Sequence, residues 1–235
     1  CLKIAKHGNR SGSSVCGSSD LLSELGYKLD KTHKQIEEEF IKFGFTFLFA
    51  PHWHPAMKFA ANVRKELGFR TFFNLIGPLT NPFRAPYQIV GVYSSDYLEK
   101  VAEVLALLDL KGSIVCHSED GFDEFSIFKP TIFYHSIGKK NSKEFFDPSI
   151  LKLKNFKDDE IYTNSREISI QISKRILKGE KITGAFAVAL NAGAALYLLG
   201  LSPTIVDGFE KSIGELESGR VYEYFSGILK GQENY

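Results

Sequence analysis

Cysteine is scarce in this chain: 235 residues contain three, at Cys1, Cys16 and Cys116. An odd number, widely spaced and without a CxxC pair, excludes a disulfide scaffold and points to a reducing cytosol. An excess of one charge is missing too, since 29 Lys and Arg face 28 Asp and Glu for a formal net charge of +1. No global field holds a nucleic acid or an anionic membrane by counterion release, so any anion must be bound locally. The opening residues Cys1 to His7 lack a long apolar run followed by a small-residue cleavage site, and the expectation is a cytoplasmic protein without an export signal. No internal repeat or low-complexity tract is present. The one apolar stretch resembling a bilayer span, Gly184 to Leu201, carries Asn191 and the small residues Gly184, Gly193 and Gly200. Those suit a helix buried against close neighbours better than a membrane span.

A hydrophobic content of 43% fills a sizeable core. Short runs rich in Val, Ile and Phe alternate with longer amphipathic stretches, the rhythm of an α/β protein. Strands are predicted at Leu2 to Ala5, Phe45 to Phe49, Gln88 to Tyr93, Ser113 to Cys116, Thr131 to His135 and Phe145 to Phe146. Helices are predicted at Ser19 to Leu25, Thr32 to Phe43, Pro55 to Leu67, Asp96 to Leu108, Arg166 to Leu177, Ala185 to Leu199 and Ile205 to Leu229. Gly26 and Gly68 sit where helix stops belong, and Pro55 at a first helical turn. Residues 121–158 read as an antiparallel excursion from one α/β catalytic domain spanning 1–235. The Glu37-Glu38-Glu39 run marks a solvated amphipathic helix, while Trp53 and the 20 phenylalanines read as core.

Three segments have the composition for chemistry. Lys6-His7-Gly8-Asn9-Arg10-Ser11-Gly12-Ser13-Ser14, then Gly17-Ser18-Ser19-Asp20 opening a helix, offers cations, glycines, hydroxyls and backbone amides to a phosphate. The pattern is neither GxxxxGK[ST] nor GxGxxG, and a polar surface loop with ordinary serine capping at Ser18 or Ser19 remains open. Asp123-Glu124, just after Ser118-Glu119-Asp120-Gly121, has the hard oxygen donors that Mg²⁺ takes together with waters and substrate phosphates; an acidic solvated turn is the alternative. In the third segment, His52 and His54 lack a third zinc ligand at suitable spacing. Arg64 shares a helix face with Met57, Ala60 and Ala61, where a guanidinium meets either a planar carboxylate or a structural ion pair. On a continuous helix His54 and Arg64 lie about 15 Å apart, too far to touch one small ligand.

Taken in order, Lys6-His7-Gly8-Asn9-Arg10, Gly17-Ser18-Ser19-Asp20-Leu21-Leu22, His54-Pro55-Ala56-Met57-Lys58, Val63 to Thr71, Asn74 to Pro82, Gly121-Phe122-Asp123-Glu124 and Leu190 to Leu196 resemble the anthranilate phosphoribosyltransferases over nearly the whole chain. The resemblance implies a nucleoside phosphorylase/phosphoribosyltransferase-type α/β domain with a central, mostly parallel mixed sheet flanked by helices. It implies transfer of the phosphoribosyl group from phosphoribosyl diphosphate to the amine of anthranilate, the second step from chorismate towards tryptophan. Lys6, Asn9 and Arg64 are then catalytic. Lys6, His7, Gly8, Asn9, Arg10, Ser11, Gly12, Ser13, Ser14 and Ser18 bind phosphoribosyl diphosphate. Asn9, His7, His54, Arg64, Gly77 and Pro78 bind anthranilate, Arg64 through the carboxylate. Asp123 and Glu124 hold magnesium, Mg2+, for the diphosphate. The family also implies a homodimer in the complete protein, with no nucleic-acid or membrane partner.

Two features depart from the family. Gly12 and Val15-Cys16 replace an aliphatic residue and a polar pair, and the amino-terminal helical segment and Gly-Thr-Gly-Gly-Asp loop are absent from these 235 residues. A truncated enzyme is the expected explanation, ahead of a split enzyme or a degenerate paralogue, because Lys6, Asn9, Arg64, Asp123 and Glu124 occur together. A pyrimidine nucleoside phosphorylase and a non-catalytic, nucleic-acid-binding relative are the competing functions; the Asn74 to Pro82 segment and Arg64 speak against the first, the balanced charge against the second.

Overall fold

The computed structural model describes residues 2–10, 16–67, 71–154 and 160–233, with the backbone alone at 61, 62, 64 and 65. The chain divides into two compact units, one of Cys1–Arg84, Thr163–Lys174 and Glu223–Tyr235, the other of Ala85–Tyr162 and Arg175–Tyr222.

In the first unit, strand β1 (Ile4–Gly8) runs parallel to β2 (Phe45–Phe49), with Ile4 opposite Phe45 and Gly8 opposite Phe49. Helix α1 (Ser18–Glu24) follows β1, and Gly26 at φ 95° supplies the left-handed turn that stops it. Helix α2 (His33–Phe43) opens with a reciprocal cap, in which the Thr32 hydroxyl accepts from Gln35 N and the Gln35 side chain accepts from Thr32 N. It ends at Gly44, φ 73°, which turns the chain directly into β2. The single turn α3 (Ala50–Trp53), α4 (Lys58–Leu67) and α5 (Phe73–Leu79) complete the run. The core gathers Tyr27, Phe47 and Ile228, the last from helix α10 (Arg220–Gln232), with Leu22, Phe43 and Leu229 packed around them.

Glu39 corrects the solvated reading of the acidic run. Glu37 and Glu38 are exposed, but Glu39 has no solvent-accessible surface. It lies on the Ile36, Phe40 and Phe43 face of α2, at the spacing that faces the core. There its carboxylate accepts from Tyr27 OH (2.6 Å), Lys31 Nζ (2.5 Å), Thr46 Oγ1 (2.8 Å) and Gln232 Nε2 (2.6 Å). Four donors, three on Oε2 and one on Oε1, compensate the buried charge, which is the condition for holding it there.

The second unit is built on a sheet in the order β3 (Tyr87–Gly91), β4 (Gly112–Ser118), β5 (Thr131–Ile137) and β6 (Lys140–Phe146). Strand β4 is buried at every residue but His117, as a strand with neighbours on both edges should be. Helix α6 (Leu98–Ala106) buries Leu98, Val101, Ala102 and Leu105, an i, i+3, i+4, i+7 stripe, and packs on β4 and β5. After α7 (Arg166–Leu177) come α8 (Thr183–Leu198) and α9 (Ile205–Glu217), which cross where two glycines meet. A Cβ on Gly193 would fall 2.5 Å from Phe209 N, and one on Gly208 2.5 Å from Gly193 O. The first amide of α8, Thr183 N, donates to the buried Glu160 carboxylate at 2.6 Å.

The α/β class and the antiparallel excursion match expectation: β5 pairs antiparallel with β4 and with β6. The sheet is mixed, but its parallel share is smaller than expected. Among the described residues the parallel pairs are β1 with β2 and β3 with β4, in separate sheets, and the β5–β6 hairpin occupies the other edge of β4. Strand β1 begins and ends later than its apolar residues imply, since the ladder to Phe45–Phe49 carries Lys6, His7 and Gly8 into the strand. The predicted helix from Ile205 to Leu229 is two helices, divided by Gly219 at φ 77°. The expected apolar stretch is α8, with Ala185, Ala189, Leu190, Gly193, Ala194 and Leu198 buried, and no described helix is long and apolar enough to cross a membrane. Gly68 lies outside the described residues.

Candidate functional site

The expected site residues fall into two clusters, one in each unit. In the first unit β1 presents Lys6 exposed and His7 and Gly8 half-buried, with Asn9 and Arg10 exposed just beyond its carboxyl end. The Asn9 side chain accepts from Arg10 N at 2.8 Å and so turns the chain out of the strand. A Cβ on Gly8 would stand 3.0 Å from the Phe47 ring and 3.5 Å from Ser18 Oγ, so the end of β1 and the start of α1 converge. Gly17, rather than Ser18 or Ser19, is the cap of α1: its N–H donates to Asp20 Oδ2 at 3.2 Å, leaving the Ser18 hydroxyl out of the capping arrangement. Ser11, Gly12, Ser13 and Ser14 lie outside the described residues.

His7 meets His54, Nε2 to Nε2 at 3.1 Å, with the rings edge-on at 70°. Burial is the main force pulling the His7 pKa below its ordinary value; the charge on His54 adds to it, and a backbone hydrogen bond with Gly77 opposes it. Three separated motifs therefore converge on one imidazole. Pro78 is exposed next to Gly77, in the last turn of α5. The expected continuous helix from Pro55 does not form. Pro55–Met57 is a 3-10 turn, α4 starts at Lys58, and His54 precedes both at φ −127°, so the helical separation from Arg64 does not apply. Arg64 is on α4, and its side chain is outside the described residues. Asn81, which belongs to the family motif but is given no role of its own there, donates from Nδ2 to Ala5 O at 3.0 Å and accepts at Oδ1 from Phe83 N, tying the Asn74 to Pro82 segment to β1. An Asn-Pro pair after a helix is the signal that marks such a turn. Trp53 stacks on His33 at 4.5 Å, half-buried instead of in the core.

In the second unit Asp123 and Glu124 are both exposed on the turn after β4. Asp120 is set apart from them: its carboxylate accepts from Ser118 Oγ (2.5 Å) and Ser126 Oγ (2.6 Å) and braces the turn. Beyond the acidic pair, Phe125 is buried against Phe133 and Phe146. Cys116 beneath them is buried, and burial first, then Glu124 and Asp123, pushes its thiol far up; it is inert at ordinary pH. Among the described residues no three His, Cys, Asp or Glu side chains gather as a metal cage. Two adjacent exposed carboxylates without a third protein ligand fit an ion that completes its shell with water and ligand oxygens, as Mg²⁺ does.

Residues 1–222 match the model of the glycosyl transferase family, a/b domain. The chain is 39% identical to an anthranilate phosphoribosyltransferase of Persephonella marina over 223 residues, which is 94% of this chain and 66% of that protein. It superposes on the crystal structure of anthranilate phosphoribosyltransferase from Thermus thermophilus with a TM-score of 0.88 at 37% identity, covering 97% of this chain and 68% of that one. The enzyme from Saccharomyces cerevisiae, solved in complex with PRPP and Mg, shares the fold at a TM-score of 0.81 and 24% identity, over 98% and 65% of the two chains. The chain thus spans about two thirds of the length of the relatives it matches. It belongs to the glycosyl transferase family of this α/β domain and, within that family, to the anthranilate phosphoribosyltransferases.

Proposed function

We propose that the protein containing this chain transfers the phosphoribosyl group of phosphoribosyl diphosphate to the amine of anthranilate and releases diphosphate. The observation that carries this reading is the meeting of His7, His54 and Gly77, three residues from separate motifs expected to line the anthranilate. The cations and amides of Lys6 to Arg10, with Ser11, Gly12, Ser13, Ser14 and Ser18, bind the sugar diphosphate, at the carboxyl end of a parallel strand where α/β folds place ligands. Asn9 and Arg64 orient anthranilate, Arg64 by forking onto the carboxylate. His7, His54, Gly77 and Pro78 wall its approach.

Asp123 and Glu124 hold Mg²⁺, which when bound neutralises the departing diphosphate. Displacement at the anomeric carbon is loose, with oxocarbenium character, and Lys6 stabilises the charge that develops on the leaving group. The aromatic amine is neutral at pH 7, so positioning by Asn9 and Arg64 supplies much of the rate and no strong base is required. The low His7 pKa supports this, because a neutral imidazole leaves the anthranilate carboxylate to Arg64. Residues 1–235 act as the α/β catalytic part of a homodimeric, cytoplasmic enzyme. Three sparse cysteines, one deeply buried, support the reducing location. Crystals of the natural protein grown with phosphoribosyl diphosphate, Mn²⁺ and anthranilate test the assignment. Density on the Lys6 to Ser18 segment and an anomalous peak at Asp123 and Glu124 are expected; a vacant segment with both ligands elsewhere overturns it.

A further inference from the structure

Helix α8 contains a single amide side chain, Asn191, and two of its three hydrogen bonds go to the backbone of one residue, Phe125. Asn191 Oδ1 accepts from Phe125 N at 3.0 Å, and Nδ2 donates to Phe125 O at 2.9 Å and to Ala187 O at 3.0 Å. Both polar groups of the Phe125 peptide are thus held as a neighbouring strand would hold them, although no strand is there. The Phe125 side chain, 1% exposed, seats the same residue in the core between Phe133 and Phe146. On the other side of Glu124, Asp123 is backed by β3. A Cβ on Gly91 would overlap the Asp123 carbonyl, so the strand end touches the loop backbone with no side chain between.

Asp123 and Glu124 are therefore exposed carboxylates on a short segment fixed at both ends, by Gly91 before and Asn191 after. Two exposed carboxylates on a free turn lose rotamer and backbone entropy when they take an ion; a clamped segment has lost the backbone part already. The anchor itself is rigid, since α8 is pinned to α9 by the Gly193 and Gly208 crossing. We propose that Asn191, opposed by Gly91, is the positioning residue that sets the divalent-metal affinity of the Asp123 and Glu124 pair. This rests on the assignment of those carboxylates to the metal under the proposed function. Asn191 touches neither the ion nor a substrate; it acts through the Phe125 backbone. The sequence signal is a lone amide in an otherwise apolar helix, which reads at first as a blemish in a membrane span.

The test titrates the natural protein with Mn²⁺, alone and with inorganic diphosphate, following water proton relaxation, and separately measures anthranilate binding by fluorescence. Four variants are compared with wild type: Asp123→Asn, Asn191→Asp, Asn191→Leu and Gly91→Ala. Asn191→Asp keeps an acceptor for Phe125 N but turns a carboxylate oxygen onto the Phe125 and Ala187 carbonyls, whereas Asn191→Leu removes all three bonds without adding a charge. Circular dichroism identifies any variant that fails to fold, and the remaining ones carry the comparison. Asp123→Asn should weaken Mn²⁺ binding directly. Folded Asn191 and Gly91 variants should weaken it roughly 10- to 100-fold, the range seen when groups supporting metal ligands are removed, with anthranilate binding unchanged. Wild-type Mn²⁺ affinity in the folded Asn191 variants, with Asp123→Asn impaired, overturns the inference and leaves the metal assignment standing. Equal weakening of Mn²⁺ and anthranilate binding overturns it as well, because a general loss of structure then explains both. Unimpaired Asp123→Asn overturns the metal assignment and the inference with it.

Discussion

The imidazoles of His7 and His54 face one another through the same ring atom, Nε2, at 3.1 Å. One nitrogen must donate and the other accept, so the contact survives only while at least one of the two is neutral. Burial and the His54 charge already lower the His7 pKa from its ordinary value near 6.5. The unfolded chain then binds a proton at His7 in a window just below 6.5 where the folded chain does not. Stability should fall as pH drops through 6.5 and continue to fall until the lowered folded pKa is passed. Urea midpoints between pH 7.5 and 5 check this, and in His7→Gln the slope over that window should be shallower. An identical slope in the variant assigns the acid sensitivity to other groups.

Glu39 and Lys31 form a fully buried ion pair at 2.5 Å. Removing one partner leaves the other charge stranded, at a cost of about 3–5 kcal/mol. Glu39→Leu strands Lys31 and also takes the acceptor from Tyr27 OH, Thr46 Oγ1 and Gln232 Nε2, so it should lower the denaturant midpoint more than Glu39→Gln, which keeps one acceptor oxygen. Tyr27 is expected to keep its proton at all ordinary pH, since burial and Glu39 both raise its pKa.

That network marks where sequence reading failed and why. Three consecutive glutamates look uniformly solvated, yet Ile36, Phe40 and Phe43 already define a face that includes Glu39; period outranks composition. The helix Thr32 to Phe43 and the strand Phe45–Phe49 were legible because each carries its own periodicity. The extension of β1 through Gly8 was not, because a parallel ladder is set by a partner about forty residues away. Helix α5 was hidden by Gly77 and Pro78 in its final turn. In the site, residue types announced the phosphate segment and the acidic pair, whereas the partners that Gly91, Asn81 and Asn191 hold are set by the fold.

Gly193 and Gly208 set the crossing of α8 and α9 at backbone contact. Gly208→Ala places a methyl 2.5 Å from Gly193 O and 2.8 Å from Gly193 Cα, so the helices must separate. Overpacking of this kind costs about 1–3 kcal/mol. A lowered thermal midpoint is expected, while Gly214→Ala, with nothing within 4 Å of the new Cβ, should be neutral or stabilising.

Arg64 is assigned to the anthranilate carboxylate, and hydrogen bonds to a charged group contribute about 1.5–3 kcal/mol. Arg64→Ala should thus lower kcat/KM for anthranilate roughly tenfold to a hundredfold and change the KM for phosphoribosyl diphosphate little. Steady-state kinetics with each substrate varied in turn separates the two, and equal losses for both substrates contradict the assignment.

The transfer reaction itself is tested most directly by the fluorescence of anthranilate, followed in the natural protein with phosphoribosyl diphosphate and Mg²⁺. The signal should decay only when protein, sugar diphosphate and metal are all present, and chelation of the metal should stop it. An unchanged anthranilate signal, in a preparation that instead splits thymidine with phosphate into free base, would contradict the account at its centre.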